Sequence, residues 1–456
     1  MSAKACTLLM FSILVITHVS AQDILQSEFR LDNSCGFATC VVPPTQISSA
    51  SNSTLYAAVG VNPGNNGQVI VTSADGLCSG VDIYSTQSAG ANWSQSCMQP
   101  QPGTQPTYWS SMDYGLQNYA YITSVELSLM DGAQERLIVS SSKDGGTTWH
   151  TPVALYRASS NINSPQVTVD RNAKSPFKEA VYLISVSHSS FYTAHVNVSH
   201  SYDRGRTWST VTLDSKASPI WEDFPDVAIG NDGTVFAAWI MCKPKNVWGG
   251  CGGIRTPILF SKSIDGGVTW SPPMQVAQPT IAPPLGDTAL WGIIPNTLAE
   301  ATNMPVLAVD HSNSANAGTL YMTYYNWTGS QMQVMLMSSR DGGTTWSKPG
   351  RVTNSSFGDE FFPWVSVSQD GVVGVTWLDR RNDLTNTNYQ PFYAVSQDGG
   401  KTFKGHQPLS QNFTVPFIGP PFVSFRNHAW AGKTLYATWL DSSTGEYEVM
   451  LGGVQF

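Results

Sequence analysis

The chain has 456 residues, of which 12% are charged and 41% hydrophobic, and its formal net charge is −8 at pH 7. A mildly acidic chain with so few charges lacks the basic stripe that nucleic-acid binding requires, which excludes that class of partner. The length exceeds that of an ordinary single domain, so we expect either several domains or one large all-β unit.

The first 21 residues have the composition of a secretory signal peptide. Lys4 supplies a positive charge, Leu8–Ile16 is a short apolar core, and Val19–Ala21 is a small-residue cleavage site. This apolar core is too short to span a bilayer, and no later segment is long enough to do so. We therefore expect a secreted, extracellular protein without a membrane anchor, in which residues 22–456 form one domain.

The cysteines and glycosylation sequons are typical of an exported protein. Cys6 leaves with the signal peptide, and the even number that remains suggests disulfides. Spacing favours three local pairs without fixing the connectivity: Cys35 with Cys40, Cys78 with Cys97, and Cys242 with Cys251. Sequons that predict a glycoprotein occur at Asn52, Asn92, Asn197, Asn326, Asn354 and Asn412. No Cys-x-x-Cys pair or Cys/His cluster indicates zinc, and we expect neither a metal nor a cofactor.

A short polar motif, S-x-D-x-G-x-T-[W/F], recurs along most of the chain. Five segments match it, and in a sixth, eroded copy Ser88 replaces the aspartate. The closing aromatic residues are 56 to 76 residues apart, which is the spacing of a structural repeat. We call these segments the box loops: Thr86–Trp93, Ser142–Trp149, Ser201–Trp208, Ser263–Trp270, Ser339–Trp346 and Ser396–Phe403.

Each repeat has the strand pattern of a β-propeller blade. A first strand begins after a proline, as in Pro225–Ile229 and Pro363–Val367, and a Gly/Asn/Asp turn leads to a second strand such as Thr234–Ile240. A third strand then runs into the box loop. Four short strands per repeat predict an all-β propeller of four-stranded antiparallel blades.

The blade count follows from the box loops and the C-terminal segment. After Phe403 a further unit without a box loop contains three strands, Phe422–Phe425, Thr434–Leu440 and Glu446–Leu451. We predict that the N-terminal segment Ile24–Leu31 supplies its fourth strand, which closes the ring and covers an edge. Seven blades are therefore favoured, and six are the alternative if the first or last unit is irregular.

The box loops themselves are predicted to be structural. Their aspartate accepts backbone N–H groups of its own loop, their glycine adopts a positive φ, and their aromatic residue packs against a sheet. An active site requires one or two distinctive copies, whereas five of these loops are nearly equal. No copy continues to the closing glutamate of a calcium loop.

The S-x-D-x-G-x-T-W motif at blade spacing resembles the Asp-box (BNR) repeats of the sialidase-like superfamily. The resemblance implies a glycan as substrate and an active site on the face away from the box loops. Phe29–Asp32 is similar to the family's F/Y-R-I-P segment but lacks the proline. The family's arginine triad and Tyr–Glu pair are not placed on this sequence.

The face opposite the box loops also carries the densest ionisable clusters of the chain. Loops that precede a first strand and loops that follow a second strand meet there, beside the central channel. The candidate site residues in these loops are Glu222, Asp223, Asp359, Glu360, Trp364, Asp379, Arg380, Arg381 and Asp383.

These residue types suit glycan chemistry. Asp379, Glu360 and Asp359 are the candidate catalytic carboxylates for acid and base work at a glycosidic bond. Arg380 and Arg381 suit a substrate carboxylate, because guanidinium groups bind carboxylates in a bidentate manner. We assign the other candidates, Asp383, Glu222, Asp223 and Trp364, to substrate binding.

The alternative for this cluster is a structural ion network that joins neighbouring blades. Burial of Glu360 and Asp379 against arginine would favour that alternative over an acid/base pair facing an open pocket. At the level of function, the sequence favours a secreted sialidase-like glycoside hydrolase acting on extracellular or cell-surface glycans. The alternative is a non-catalytic propeller that binds glycans or proteins.

Overall fold

The structure is a computed structural model. It describes residues 40–48, 55–74, 78, 80–128, 134–158, 161–190, 193–213, 221–246, 249–251, 255–282, 292–301, 303–416 and 427–456. The predicted signal peptide and the predicted strands Ile24–Leu31 and Phe422–Phe425 lie outside these residues. Among the described residues, no helix is long and apolar enough to cross a membrane.

Seven four-stranded antiparallel sheets form the seven blades of a β-propeller, which confirms the predicted fold and the favoured blade count. The alternative of six blades is wrong. The first strand along the chain, β1 (Cys40–Gln46), belongs to blade 7.

In blades 1 to 6 the four strands follow one another along the chain, from the channel outward, except that blade 4 has a small hairpin inserted after its second strand. Blade 1 contains β2 (Leu55–Asn62), β3 (Asn65–Ala74), β4 (Val81–Thr86) and β5 (Ser94–Met98). Blade 2 contains β6 (Thr104–Tyr114), β7 (Ala120–Ser128), β8 (Glu135–Ser142) and β9 (Val153–Ala158). Blade 3 contains β10 (Ile162–Val169), β11 (Val181–Ser190), β12 (Thr193–Ser201) and β13 (Ser209–Leu213).

The second half of the ring has the same plan, with two short hairpins added. Blade 4 contains β14 (Trp221–Ile229), β15 (Val235–Cys242), the hairpin β16 (Pro244–Asn246) and β17 (Gly249–Cys251), then β18 (Ile258–Ser263) and β19 (Met274–Ala277). The hairpin β20 (Gly292–Ile293) and β21 (Glu300–Ala301) precedes blade 5, which contains β22 (Val306–Val309), β23 (Leu320–Trp327), β24 (Met332–Ser339) and β25 (Gly350–Arg351). Blade 6 contains β26 (Glu360–Val367), β27 (Val373–Asp379), β28 (Gln390–Ser396) and β29 (Lys404–Pro408), and blade 7 contains β30 (His428–Ala431), β31 (Thr434–Asp441), β32 (Glu448–Gln455) and β1.

An N-terminal strand closes the ring, as predicted, but it is β1 and not Ile24–Leu31. β1 pairs antiparallel with β32, and its register shifts between Val42 and Thr45, where two prolines stand. An outermost strand bonds to a neighbour on one side only, so it tolerates residues without an N–H. The predicted disulfide between Cys78 and Cys97 is confirmed. Cys242 is also disulfide-bonded, whereas Cys35 and the side chains of Cys40 and Cys251 lie outside the described part of the chain.

The innermost strands of blades 4 and 6 begin earlier than predicted. They start at Trp221 and Glu360, upstream of the prolines that were expected to open them. Each strand has a bulge before its proline, where Phe224 and Phe362 adopt φ values of 50° and 51°. Bulges redirect side chains at a sheet end. Glu222, Asp223 and Glu360, which were expected in the loops before these strands, are consequently strand residues, and Asp359 immediately precedes β26.

Tyr56 of blade 1 packs against the neighbouring blade, where its ring centroid lies 4.9 Å from that of Trp109 in blade 2. Tyr56 belongs to the large apolar cluster that contains core residues of blades 3 to 6, whereas the other core residues of blade 1 belong to separate clusters.

The box loops join the third and fourth strands of blades 1 to 6, as predicted, and a shared set of hydrogen bonds holds five of them. In blade 2, Thr148 donates its backbone N–H to Asp144 Oδ1 at 2.8 Å and its hydroxyl to Oδ2 at 2.5 Å. Trp149 Nε1 donates to the Gly146 carbonyl at 3.1 Å. Equivalent threonine–aspartate bonds occur at Asp203, Asp265, Asp341 and Asp398.

Blade 7 has no box loop for a topological reason. Its third and fourth strands, β32 and β1, lie near opposite ends of the chain, so no loop connects them. The eroded copy in blade 1 keeps the same turn with a hydroxyl in place of the carboxylate. There Ser88 Oγ accepts the backbone N–H of Asn92 at 3.1 Å.

Candidate functional site

Five of the predicted residues come together where β26 starts and β27 ends, on the face opposite the box loops. Asp359, Glu360, Asp379, Arg380 and Arg381 are contributed by these two strand ends, with Glu360 directly opposite Asp379 in the sheet. We call these five residues the blade 6 cluster.

Glu360 is bound by residues of blade 5. Its Oε1 accepts the Thr353 hydroxyl at 2.5 Å and Arg351 Nη2 at 3.0 Å. Its Oε2 accepts the backbone N–H of Val334 at 3.1 Å. The residue is 0% exposed, and this burial raises the pKa of its carboxyl.

Asp379 is held by Arg381 and by a tryptophan. Its Oδ2 accepts Arg381 Nη2 and Trp377 Nε1, each at 2.6 Å. Arg381 Nη2 also lies 3.5 Å from Glu360 Oε1, so one guanidinium bridges both carboxylates. The same guanidinium lies 4.8 Å from the centroid of the Phe392 ring.

Asp359 and Arg380 fasten a neighbouring strand and two loops. Asp359 accepts the Met332 backbone N–H at 2.8 Å and Asn386 Nδ2 at 2.6 Å. Arg380 Nη1 donates to the Pro295 carbonyl at 2.6 Å and lies 3.9 Å from Asp359 Oδ2. Arg380 is fully buried, and burial lowers its pKa to about 10.

The blade 6 cluster therefore has the arrangement expected of a structural network. Glu360 and Asp379 are 0% and 1% exposed, and both are buried against Arg381. Their partners are backbone N–H groups and side chains of blades 5 and 6. A general acid and base must instead reach a substrate oxygen and a water molecule.

The other candidates occupy three different settings. Trp364 lies in the hydrophobic core, and Glu222 is buried on β14. Asp383 shapes the loop after β27 by accepting the backbone N–H groups of Thr385 and Asn388 at 3.0 and 2.6 Å. Partial burial acts to raise the pKa of Asp383, but the Asn388 and Thr385 donors outweigh it and leave the pKa at about 2.

Asp223 lies in a second cluster between blades 3 and 4. Its Oδ1 accepts the Phe224 backbone N–H at 2.8 Å and the Ser164 hydroxyl at 3.2 Å. Its Oδ2 accepts Trp221 Nε1 at 3.3 Å. Burial raises the pKa of Asp223 to about 6, although these three donors oppose the increase.

His188 and Asn163 complete this cluster, and sequence analysis did not identify them. Asn163 Nδ2 donates to His188 Nε2 at 3.2 Å, and the His188 ring centroid lies 4.4 Å from that of Trp221. Burial lowers the pKa of His188 to about 4, so the ring is neutral at pH 7. His188 stands near the end of a second strand, where the blade pattern already placed functional residues. We call Asn163, Ser164, His188, Trp221 and Asp223 the blade 3/4 cluster.

In the described ranges, no group of three or more His, Cys, Asp or Glu residues is arranged to hold a metal ion. The carboxylates of the blade 6 cluster are occupied by arginines and by N–H donors.

Comparison with known proteins shows the fold. No protein-family model and no curated protein sequence matches the chain. A protein of unknown function from Dyadobacter fermentans is 12% identical with a TM-score of 0.50, over 92% of this chain and 99% of the other. An ulvan lyase of polysaccharide lyase family PL25 is 11% identical with a TM-score of 0.51, over 89% and 94%. The intramolecular trans-sialidase from Ruminococcus gnavus is 11% identical with a TM-score of 0.48, over 73% and 91%. At these identities, the chain is similar to such proteins in its β-propeller architecture.

Proposed function

We propose that the chain is a secreted, extracellular β-propeller that binds a glycan on the face opposite the box loops without cleaving it. The repeats resemble those of glycan-acting propellers. One structure of similar fold is described as an ulvan lyase, so this architecture accommodates a polysaccharide. The signal peptide and sequons predicted from sequence favour an extracellular setting.

We favour binding over cleavage because the carboxylates of Glu360 and Asp379 are already occupied by hydrogen bonds and ion pairs within the protein. Arg381 bridges the two carboxylates, and blade 5 supplies further donors to Glu360. If these carboxylates turned toward a substrate, their buried hydrogen-bond donors would lose their acceptors, which would destabilise the folded protein. The blade 6 cluster thus holds the loops of this face in place.

Exposed apolar side chains on the same face provide surfaces for a sugar ring. Phe357 precedes β26, Leu384 follows β27 and Phe413 follows β29, and they are 43%, 89% and 40% exposed. All three lie on connections at the end of the blades opposite the box loops. Aromatic side chains offer a large, rigid contact area.

A glycan array that includes sialylated and ulvan oligosaccharides, probed with the full secreted chain, tests this proposal. We expect Phe413→Ala to weaken binding of the strongest ligand by about three- to tenfold. Tyr202→Ala is the matched control, because Tyr202 is an exposed aromatic residue on a box loop. Equal weakening by both variants would contradict a site on the opposite face. Cleavage of the ligand that is lost in Asp379→Asn would overturn the non-catalytic role.

A further inference from the structure

A separate cavity lies on the box-loop face, between blades 2 and 3. Its volume is about 210 Å³, and its charged lining residues are Lys143, Arg204 and Arg206. None of the described residues that line it is a carboxylate, although the chain as a whole carries a charge of −8. Pockets for drug-sized ligands measure roughly 300–1,000 Å³, so this cavity suits a single ring-sized group.

Arg204 adopts a left-handed backbone conformation that glycine adopts in four of the other five box loops, whereas Ala89 adopts it in the eroded copy, with a φ of 54°. The φ of Arg204 is 62°, while the equivalent residues Gly145, Gly266, Gly342 and Gly399 have φ values of 72°, 77°, 63° and 75°. This left-handed region is unfavourable for a residue with a side chain, and such outliers often mark functional sites. The box loop of blade 3 therefore carries a large charged side chain at a position where the other five box loops carry glycine or alanine.

The Arg204 guanidinium is held rigidly beside the cavity. Its Nε donates to Glu179 Oε2 at 3.0 Å, and its Nη2 donates to Gln117 Oε1 at 3.0 Å. The guanidinium carbon lies 4.5 Å from the centroid of the Tyr119 ring. Such contacts leave little side-chain freedom to be lost when a ligand binds.

Two further cations at the cavity lack an ion-pair partner. Within the described ranges, neither Lys143 nor Arg206 forms a salt bridge. The nearby box aspartates, Asp144 and Asp203, accept hydrogen bonds from the threonines of their own loops. The positive charge of Lys143 and Arg206 is therefore available to a ligand.

The rest of the cavity lining combines aromatic and apolar side chains with the polar residues Ser140, Ser141, His150 and Thr151. Tyr119 and Tyr121 stack with ring centroids 6.4 Å apart, and Val139 and Val153 also line the space. We propose that this cavity binds one acidic sugar unit of an extracellular polysaccharide. Lys143 and Arg206 contact its carboxylate or sulfate, and its ring packs against the tyrosine and valine side chains. This site is separate from the glycan face opposite the box loops and does not depend on it.

Calorimetric titration of the full chain tests the proposal with three probes of matched length: trigalacturonate, a sulfated dextran oligosaccharide and neutral dextran. We expect one or both anionic probes to bind and the neutral probe not to bind, and the anionic probe that binds identifies the preferred group. Arg206→Ala and Lys143→Ala should each weaken binding by about tenfold, the value of one charge-assisted contact. Arg204→Gly restores the residue that the turn favours, so it should fold normally and still bind more weakly.

Lys401→Ala is the matched control, because Lys401 occupies in blade 6 the box-loop position that Arg206 occupies in blade 3. Equal weakening by Lys401→Ala would show general charge attraction and overturn the proposal. So would a failure of both anionic probes to bind. A glutamate tripeptide that binds as tightly as the sugars would overturn the assignment to a saccharide. None of these results bears on Phe413→Ala, so the two sites are tested separately.

Discussion

Aspartates in the box loops and in the blade 6 cluster both accept several hydrogen bonds, but their surroundings differ. Asp265 is partly exposed to solvent, and the hydroxyl and backbone N–H of Thr269 lower its pKa to about 2. Asp379 is buried against Arg381, with no access to water. The first arrangement shapes a turn, whereas the second joins buried strand ends and must stay paired.

Replacing one box aspartate should destabilise the protein modestly. Asp144→Ala removes the acceptor for the Thr148 N–H and hydroxyl, and we expect a loss of about 1–2 kcal/mol in the free energy of unfolding. Urea denaturation measures this loss. Ser88→Ala, in the eroded copy, is the control, because this substitution removes fewer hydrogen bonds. Loss of glycan binding to the opposite face without loss of stability would contradict a structural role.

Removing Arg381 should destabilise the protein far more. Arg381→Met leaves two buried carboxylates without their shared partner, and breaking a buried pair costs about 3–5 kcal/mol. Arg351→Met is the comparison, because Arg351 is partly exposed and contacts Glu360 alone. We expect urea denaturation to show a smaller loss for Arg351→Met. A stable Arg381→Met protein would indicate a binding role for this arginine.

The contribution of two buried histidines to stability should fall in mildly acidic solution. Burial lowers the pKa of His188 to about 4 and that of His428 to about 3, from an ordinary value near 6.5. Between these pKa values the two histidines bind protons in the unfolded chain but not in the folded chain, so their contribution to the free energy of unfolding decreases as pH falls below about 6.5. His428→Gln should lose about 2 kcal/mol less than wild type between pH 7 and pH 5. Stability curves of His428→Gln and wild type that run parallel between pH 7 and pH 5 would refute this.

At the scale of elements, the strand pattern predicted the blades well and the closing strand poorly. Alternating β-branched and aromatic residues identified Thr234–Ile240, which is observed as Val235–Cys242. β1 was missed because Pro43 and Pro44 interrupt its pattern. An outermost strand tolerates prolines that a central strand excludes, and sequence does not reveal which strand lies outermost.

Deleting β1 should open the ring. A chain that begins at Ile47 leaves the edge of β32 unpaired, and exposed edges promote association with other chains. We expect a lower Tm and oligomers in size-exclusion chromatography. The chain that begins at Gln22, after the predicted signal peptide, is the control. A monomer with unchanged Tm after deletion would show that β1 does not close the propeller.

The candidate site could be predicted only in part, because burial depends on the neighbouring blade. Sequence analysis placed the loops that carry Glu360 and Asp379 on one rim, and in the structure these two residues lie opposite each other in the sheet. Their main neighbours are the Val334 N–H, more than twenty residues upstream, and the Arg381 guanidinium. No local pattern indicates whether a carboxylate at a strand end faces a cavity or an adjacent sheet.

For the whole molecule, the repeat distinguishes the two faces of the propeller, because the box loops lie on one of them. Six of seven blades present a box loop on one face, and the seventh cannot because its outer strands are not consecutive. That period predicted the fold class, the number of blades and the position of the box loops. The glycan ligand remains a proposal, since function depends on particular side chains and one fold serves many functions.

Hydrogen exchange with the tightest glycan from the array tests most directly where that glycan binds. The Lys143→Ala/Arg206→Ala variant should be used, so that the box-face cavity does not contribute. We predict slower amide exchange in residues 380–389, the loop that Asp383 shapes. Exchange in the box loops, such as Ser142–Trp149, should be unchanged. Slower exchange confined to the box loops, with residues 380–389 unaffected, would contradict the account.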